Sequence, residues 1–271
     1  MNEKEDSSLI SPPQSQLSCL LEHYQNRRFS DAEKLSLEIT RDFPKHQFAW
    51  KVLGAVLGLT GRKSEAVDAN QTVVKLSPQD AEAHNNLGNT LKELGRLDEA
   101  EASYNQALVL KPDYAEAHCN LGIILHHSGK LDKAEASYRQ AIALRPEFPE
   151  AYSNLGITLQ EAGKLKEADA SYKQAIELSP DYAEAHNNLG NALKEQGRLE
   201  EALSAYNKAI ELKADYADVY SNKYLCLNYF SSNTPSFILE QHLEFERQFG
   251  GLQAEPFLSS GSDQGAEKRL R

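Results

Sequence analysis

Several residue types are scarce in this chain, and each shortage excludes something. Cysteine occurs three times in 271 residues, as Cys19, Cys119 and Cys226. An odd number of widely scattered thiols with no CxxC excludes a disulfide framework and fits a reducing compartment. There is one Trp and one Met, and aromatics are 8% of the chain, so a core rich in large rings is excluded. Basic residues are outnumbered, 29 Lys+Arg against 40 Asp+Glu, for a formal net charge of −11. A nucleic-acid binder or a membrane-surface protein needs a basic face to meet phosphate, so neither partner is expected. No run of 18 apolar residues exists, and the start, Met1-Asn2-Glu3-Lys4-Glu5-Asp6, lacks the basic and apolar stretches of a signal peptide. The expectation is a soluble, cytoplasmic protein. Motifs of chemistry are missing too: no GxGxxG, P-loop, HExxH or zinc-type Cys pair occurs. No catalytic residue, cofactor or metal is predicted.

What the chain does have is a 34-residue period. Residues 81–114 and 183–216 begin with the same eight residue types, Ala81 to Gly88 and Ala183 to Gly190, and share 24 of 34 positions. Blocks 115–148 and 149–182 lie between them in register, and 47–80 and a weaker 13–46 precede them. A seventh unit opens at Ala217 and degenerates after Cys226. Each block reads as two helices. In 81–114 the first places His84, Leu87, Gly88 and Leu91 on one face, and the second turns Leu97, Ala100, Tyr104, Ala107 and Leu108 inward. Gly61, Gly95, Gly129, Gly163 and Gly197 separate the two helices. Pro44, Pro78, Pro112, Pro146 and Pro180 close the units, because Pro cannot continue a helix. The sixth unit has Ala214 there, and the first has Leu20 and Ser36 where later units have Gly and Tyr.

This pattern, with a W-x2-L-G spacing at Trp50 and small residues at fixed offsets, resembles the tetratricopeptide repeat (TPR) family. The resemblance implies an all-α, right-handed α-solenoid of stacked helical hairpins whose first helices line a concave groove. The physics agrees, since one hairpin cannot bury its apolar stripe alone. The predicted organisation is a disordered tail over 1–12, an array of six full repeats and a partial seventh over 13–228, an amphipathic helix within 229–250, and a linker over 251–271. In the penultimate segment Thr234 suits an N-cap and Pro235 the first helical turn. Ile238, His242, Phe245 and Phe249 then follow on one face.

Within the array, one column stands out. Asn86, Asn120, Asn154, Asn188 and Asn222 recur every 34 residues at the edge of the packing stripe, toward the groove. A carboxamide both donates and accepts, so such a ladder can hold the backbone of an extended peptide whatever its side chains. Asparagine at this position also fits a structural role. The ladder is absent from the first two repeats, which have Ser18 and Val52. His84, His118 and His186 share the fourth position with Trp50 and Tyr152, which marks them as packing residues. Cys119 and His126 lie seven apart on one helix face without evident third and fourth metal ligands. Asn70-Gln71-Thr72 fits a glycosylation sequon, which carries no meaning in a cytosolic helix.

The second position is acidic throughout (Glu82, Glu116, Glu150, Glu184, Asp218), which disfavours the acidic C-terminal chaperone tails that some TPR proteins hold with Lys and Arg. The asparagine ladder, the helix around Glu240-Gln241-His242-Leu243-Glu244-Phe245, and the closing Lys268-Arg269-Leu270-Arg271 together resemble the N-terminal array of protein O-linked N-acetylglucosaminyltransferases. That resemblance implies a substrate-recruiting arm that leads into a catalytic region and does not itself transfer sugar. The alternative is a stand-alone scaffold that joins proteins in a complex.

Overall fold

The alternation of apolar stripes and glycine breaks folds as helical hairpins. In a computed structural model, residues 11–230 are described continuously, followed by Thr234, Ser236, Phe237, Leu239, Glu240, Leu243, Phe245 and Arg247. All regular structure among the described residues is helical. The hairpins pair α1 (Gln14–Gln25) with α2 (Phe29–Asp42), α3 (Gln47–Leu59) with α4 (Lys63–Leu76), and α5 (Ala81–Glu93) with α6 (Leu97–Leu110). They continue with α7 (Ala115–His127) and α8 (Leu131–Leu144), α9 (Pro149–Glu161) and α10 (Leu165–Leu178), and α11 (Ala183–Glu195) and α12 (Leu199–Leu212). The first helix of a seventh unit, α13 (Ala217–Leu227), follows. The described helices fall into two compact units, one ending at Ser179 with α1–α10 and one starting at Pro180 with α11–α13.

The hinge inside each hairpin has a specific cause. Gly61, Gly95, Gly129, Gly163 and Gly197 all adopt positive φ, between 70° and 83°. At Gly95 this lets the Arg96 N–H reach back to the Leu91 carbonyl and the Gly95 N–H to that of Lys92, which caps α5. The first repeat has Arg27 at this point, with φ of 56°, the only non-glycine residue in that region among those described. A side chain there is strained by roughly 1–2 kcal/mol.

Hairpins close through one recurring contact. Tyr104, Tyr138, Tyr172 and Tyr206 are fully buried on the second helices, and each ring stands over the glycine eight residues into its first helix. A Cβ on Gly88, Gly122, Gly156 or Gly190 would sit 2.5–2.7 Å from that ring. Only glycine permits so close an approach. The first repeat solves the same problem in reverse: Leu20, fully buried, comes from the first helix, and Ser36 makes room on the second. Leu20 thereby joins Ala32, Ile39, Ala49, Val52 and Val56 in a core that seals the start of the array.

Within each unit, second helices pack on the next first helices, and in the first unit first helices also touch one another, α1 with α3, α5 with α7, and α7 with α9. In the second unit α11 touches α13 in the same way. Within each unit this closer approach makes the first-helix side the inner face.

The segment 229–250 is helical at Ser236, Phe237, Leu239, Glu240, Leu243, Phe245 and Arg247. Its start is as expected: the Phe237 N–H donates to Thr234 Oγ1 at 3.3 Å. Phe245 packs on Tyr220 and Tyr224, with ring centroids 6.3 and 5.9 Å away. Ile238, His242 and Phe249 of the anticipated apolar face, Pro235, the tail over 1–10 and the linker over 251–271 lie outside the described residues.

Candidate functional site

The asparagine column lies on the first helices, half-buried at every position. Asn86, Asn120 and Asn154 occupy equivalent places on α5, α7 and α9, and Asn188 and Asn222 do so on α11 and α13. Three of the five carboxamides are engaged with the preceding repeat. Asn120 Nδ2 donates to Asn85 Oδ1 at 3.1 Å, and Asn222 Nδ2 donates to Asn187 Oδ1 at 3.0 Å. Asn154 hydrogen-bonds the Cys119 thiol. In each case the partner is the fifth residue of the repeat before. At these three steps the ladder spends one side-chain contact on joining repeats, whereas Asn188 Oδ1 accepts from Asn187 Nδ2 of its own repeat at 3.4 Å.

Asn86 differs. The fifth residue of the repeat before it is Lys51, and Lys51 is drawn to Asp80 Oδ2 at 2.9 Å and Glu82 Oε2 at 3.3 Å. The Asn86 side chain makes no hydrogen bond among the described residues; only its backbone carbonyl is used, by Thr90 Oγ1 at 3.0 Å. The Asp80 carboxylate also caps α5, accepting from the Glu82 and Ala83 N–H groups, and takes Gln47 Nε2 at 2.8 Å. These hydrogen bonds and Lys51 hold its pKa below the usual range against the opposing effect of burial.

Beside Asn86 the inner face opens into a cavity of about 340 Å3, formed by α1, α3, α4 and α5. Its walls include Lys51, Ala55, Gly58, Asn70, Asn86 and Thr90. No single motif in the sequence points to it. The signal lies in the column of residues at the tyrosine position, where the second repeat has Asn70.

The acidic second position is less bare than the sequence suggested. Glu82 pairs with Lys51, Glu116 with Arg145, and Glu184 with Lys213 at 3.4 Å. The chain's own cations thus offset part of the field that an acidic ligand would meet. The fourth-position residues pack as expected and do more. The Nε2 atoms of His84, His118 and His186 donate to the carbonyls of Pro78, Pro112 and Pro180 at 2.9–3.1 Å, and Trp50 Nε1 donates to that of Pro44 at 2.8 Å. Each ties a first helix to the proline loop before it. Cys119 is buried, and burial pushes its thiol up to about 11, the opposite of what a thiolate ligand needs. His126 lies instead 3.1 Å from a Glu161 oxygen. Among the described residues no three His, Cys, Asp or Glu side chains gather as a metal site. No helix there is long and apolar enough to cross a membrane.

Within each unit the first helices carry half-buried carboxamides, and the Gly–Tyr contact fixes the hairpins that present them. The sequence matches the TPR repeat family over residues 88–129, 124–163, 159–197 and 190–223, and the Tetratricopeptide repeat family over 69–102 and 21–81. The chain belongs to the tetratricopeptide repeat family. Solved structures agree on the fold. MamA is 27% identical, with 61% of this chain and 97% of that one covered at a TM-score of 0.55. TTC0263, a thermophilic TPR protein of Thermus thermophilus, is 26% identical over 67% of this chain and 99% of its own, with a TM-score of 0.56. PilW, a type IV pilus biogenesis factor, aligns over 80% of this chain and all of its own length, at 23% identity and a TM-score of 0.70. No curated protein sequence matches the chain.

Proposed function

We propose that this TPR array is a protein–protein interaction module that holds an extended peptide along its inner face. Asn86, Asn120, Asn154, Asn188 and Asn222 would contact the peptide backbone. The observation that carries the reading is the repetition of one donor-and-acceptor group at one half-buried position on successive first helices. Each net amide bond contributes only about 0.5–1.5 kcal/mol. Several in a row supply affinity that tolerates sequence, because the peptide backbone is the same everywhere.

The finer reading is a substrate-recruiting arm of an O-linked N-acetylglucosaminyltransferase-like protein, with no sugar transfer by these residues. It rests on the ladder and on the short resemblance of the segments around Glu240–Phe245 and Lys268–Arg271. Coding sequence beyond the Arg271 codon tests it directly: a glycosyltransferase region supports this reading, and its absence leaves the chain a scaffold.

The binding reading has its own test. Degenerate fluorescein-labelled 12-residue peptides should bind the chain measurably in fluorescence polarisation. The triple change Asn120→Ala, Asn154→Ala and Asn188→Ala should weaken that binding about tenfold or more, irrespective of peptide sequence. Equal binding by the triple variant overturns the role of the ladder.

A further inference from the structure

Four of the six complete repeats fill the space between their two helices with a tyrosine from the second helix over a glycine from the first, and one fills it with a leucine over a serine. The second repeat does neither. It has Gly54 on α3 and Asn70 on α4, small on both sides. The Asn70 carboxamide stands over Gly54, where an added Cβ would be 2.5 Å from its Oδ1, so it occupies only the inner part of the place a ring would take. Its Nδ2 donates to Thr90 Oγ1 of α5 at 2.8 Å, which turns it away from its own hairpin.

The outer part of that place is also stripped. In three of the four tyrosine repeats the hydroxyl donates to a polar residue on the first helix of its own repeat. Tyr104 reaches Asn89 Oδ1 at 2.8 Å, Tyr206 reaches Asn191 Oδ1 at 2.8 Å, and Tyr172 reaches Gln160 Oε1 at 3.0 Å. Asn89 and Asn191 stand at the ninth position of their repeats, Gln160 at the twelfth. The second repeat has Ala55 and Gly58 at those two positions, and both line the cavity. Four positions that together hold a tyrosine and its hydrogen-bond acceptor in the third, fifth and sixth repeats therefore hold Gly, Asn, Ala and Gly here, and the cavity lies there. Its far wall belongs to α5, where the Asn86 carboxamide has no hydrogen-bond partner among the described residues.

The geometry points to a specificity pocket in the second repeat that accepts one tyrosine side chain from the bound peptide. The ligand's ring takes the place that the chain's own ring fills in later repeats, and its hydroxyl meets Asn86 and Thr90. The ring would lie over Ala55 and Gly58, with the backbone on one side held by the asparagines farther along. A cavity of about 340 Å3 admits such a side chain with part of its backbone. Tyrosine is favoured over an aliphatic side chain because the wall combines apolar surface with a free amide, the same pairing that Tyr104 and Tyr206 find internally. This inference rests on the reading of the inner face as a peptide-binding groove.

The test uses the whole chain and degenerate 12-residue fluorescein-labelled peptide libraries whose central residue is fixed as Tyr, Leu or Ala. The Tyr library should bind about tenfold more tightly than the Ala library, with Leu between them, as expected for a buried aromatic anchor. Asn70→Tyr, which restores the chain's own ring, should abolish that preference while keeping the Ala library's affinity. Gly58→Leu gives an independent check at a position where an added Cβ meets no atom within 4 Å. It should close the pocket in a chain whose fold circular dichroism can verify. Equal affinity for the three libraries in the wild-type chain overturns the pocket and leaves the groove standing. So does a tyrosine preference that survives both variants. Absence of binding to every library overturns the groove reading and the pocket with it.

Discussion

The second repeat and the fourth have the same length, the same hinge glycine and the same loop proline, yet their hairpins are filled differently. In the fourth, Tyr138 is 2% exposed and its ring leaves no space for a Cβ on Gly122. In the second, Asn70 is 8% exposed, bonds to the next repeat, and leaves a cavity on the inner face. The comparison separates two jobs that a repeat position can do. A large residue at the tyrosine position makes a hairpin self-sufficient. A small one leaves it dependent on its neighbours and opens space to solvent, which a protein tolerates where the space is used.

The largest effect should come from making the fourth repeat resemble the second. Tyr138→Asn removes a buried ring from a hairpin with no Leu20-like substitute, and should cost about 3 kcal/mol or more, read as a fall in the urea midpoint. A cost below about 1 kcal/mol would show that the ring is dispensable and that the two repeats are equivalent. Next in size is a contrast between glycines. Gly122→Ala forces a methyl to within 2.7–2.9 Å of the Tyr138 ring and should destabilise by about 1–3 kcal/mol. Gly58→Ala enters open space in the last turn of α3 and should stabilise by less than about 1 kcal/mol. Equal effects at the two glycines would break the distinction. The smallest effect belongs to the first repeat: Arg27→Gly relieves a strained left-handed residue, less the extra chain entropy of glycine, and should raise the thermal midpoint by an amount equivalent to about 1 kcal/mol or less.

The hairpins, their hinges and their order are readable from period and punctuation, because a 34-residue recurrence of apolar spacing, Gly and Pro admits few other folds. The Gly–Tyr contact is readable too, since its two members keep a fixed distance of sixteen residues. Two features are not. The amide bonds from Asn120 to Asn85 and from Asn222 to Asn187 join residues in adjacent repeats. Which fifth-position group meets which sixth-position group depends on how hairpins stagger, and periodicity alone is silent on that. The cavity escapes the sequence for another reason. Along the chain Asn70 is only the first residue of a glycosylation sequon, whereas its meaning lies down the column of equivalent positions. Likewise the acidity of the second position looks unopposed because Lys51, Arg145 and Lys213 are distant in sequence from the residues they neutralise, or sit in a different class of position.

The inner amide ladder also has a counterpart on the second helices. Arg62 pairs with Glu33, Lys130 with Glu101 at 2.9 Å, and Lys164 with Glu135 at 2.9 Å, each linking one repeat to the one before. The first unit is thus fastened by ion pairs beside its second helices, and on the first-helix side by a neutral amide bond together with the Lys51–Glu82 pair. The two kinds of fastener answer to different solvents: added salt screens the ion pairs, by about half an order of magnitude in range between 0.1 and 1 M, and leaves the amide bonds almost untouched.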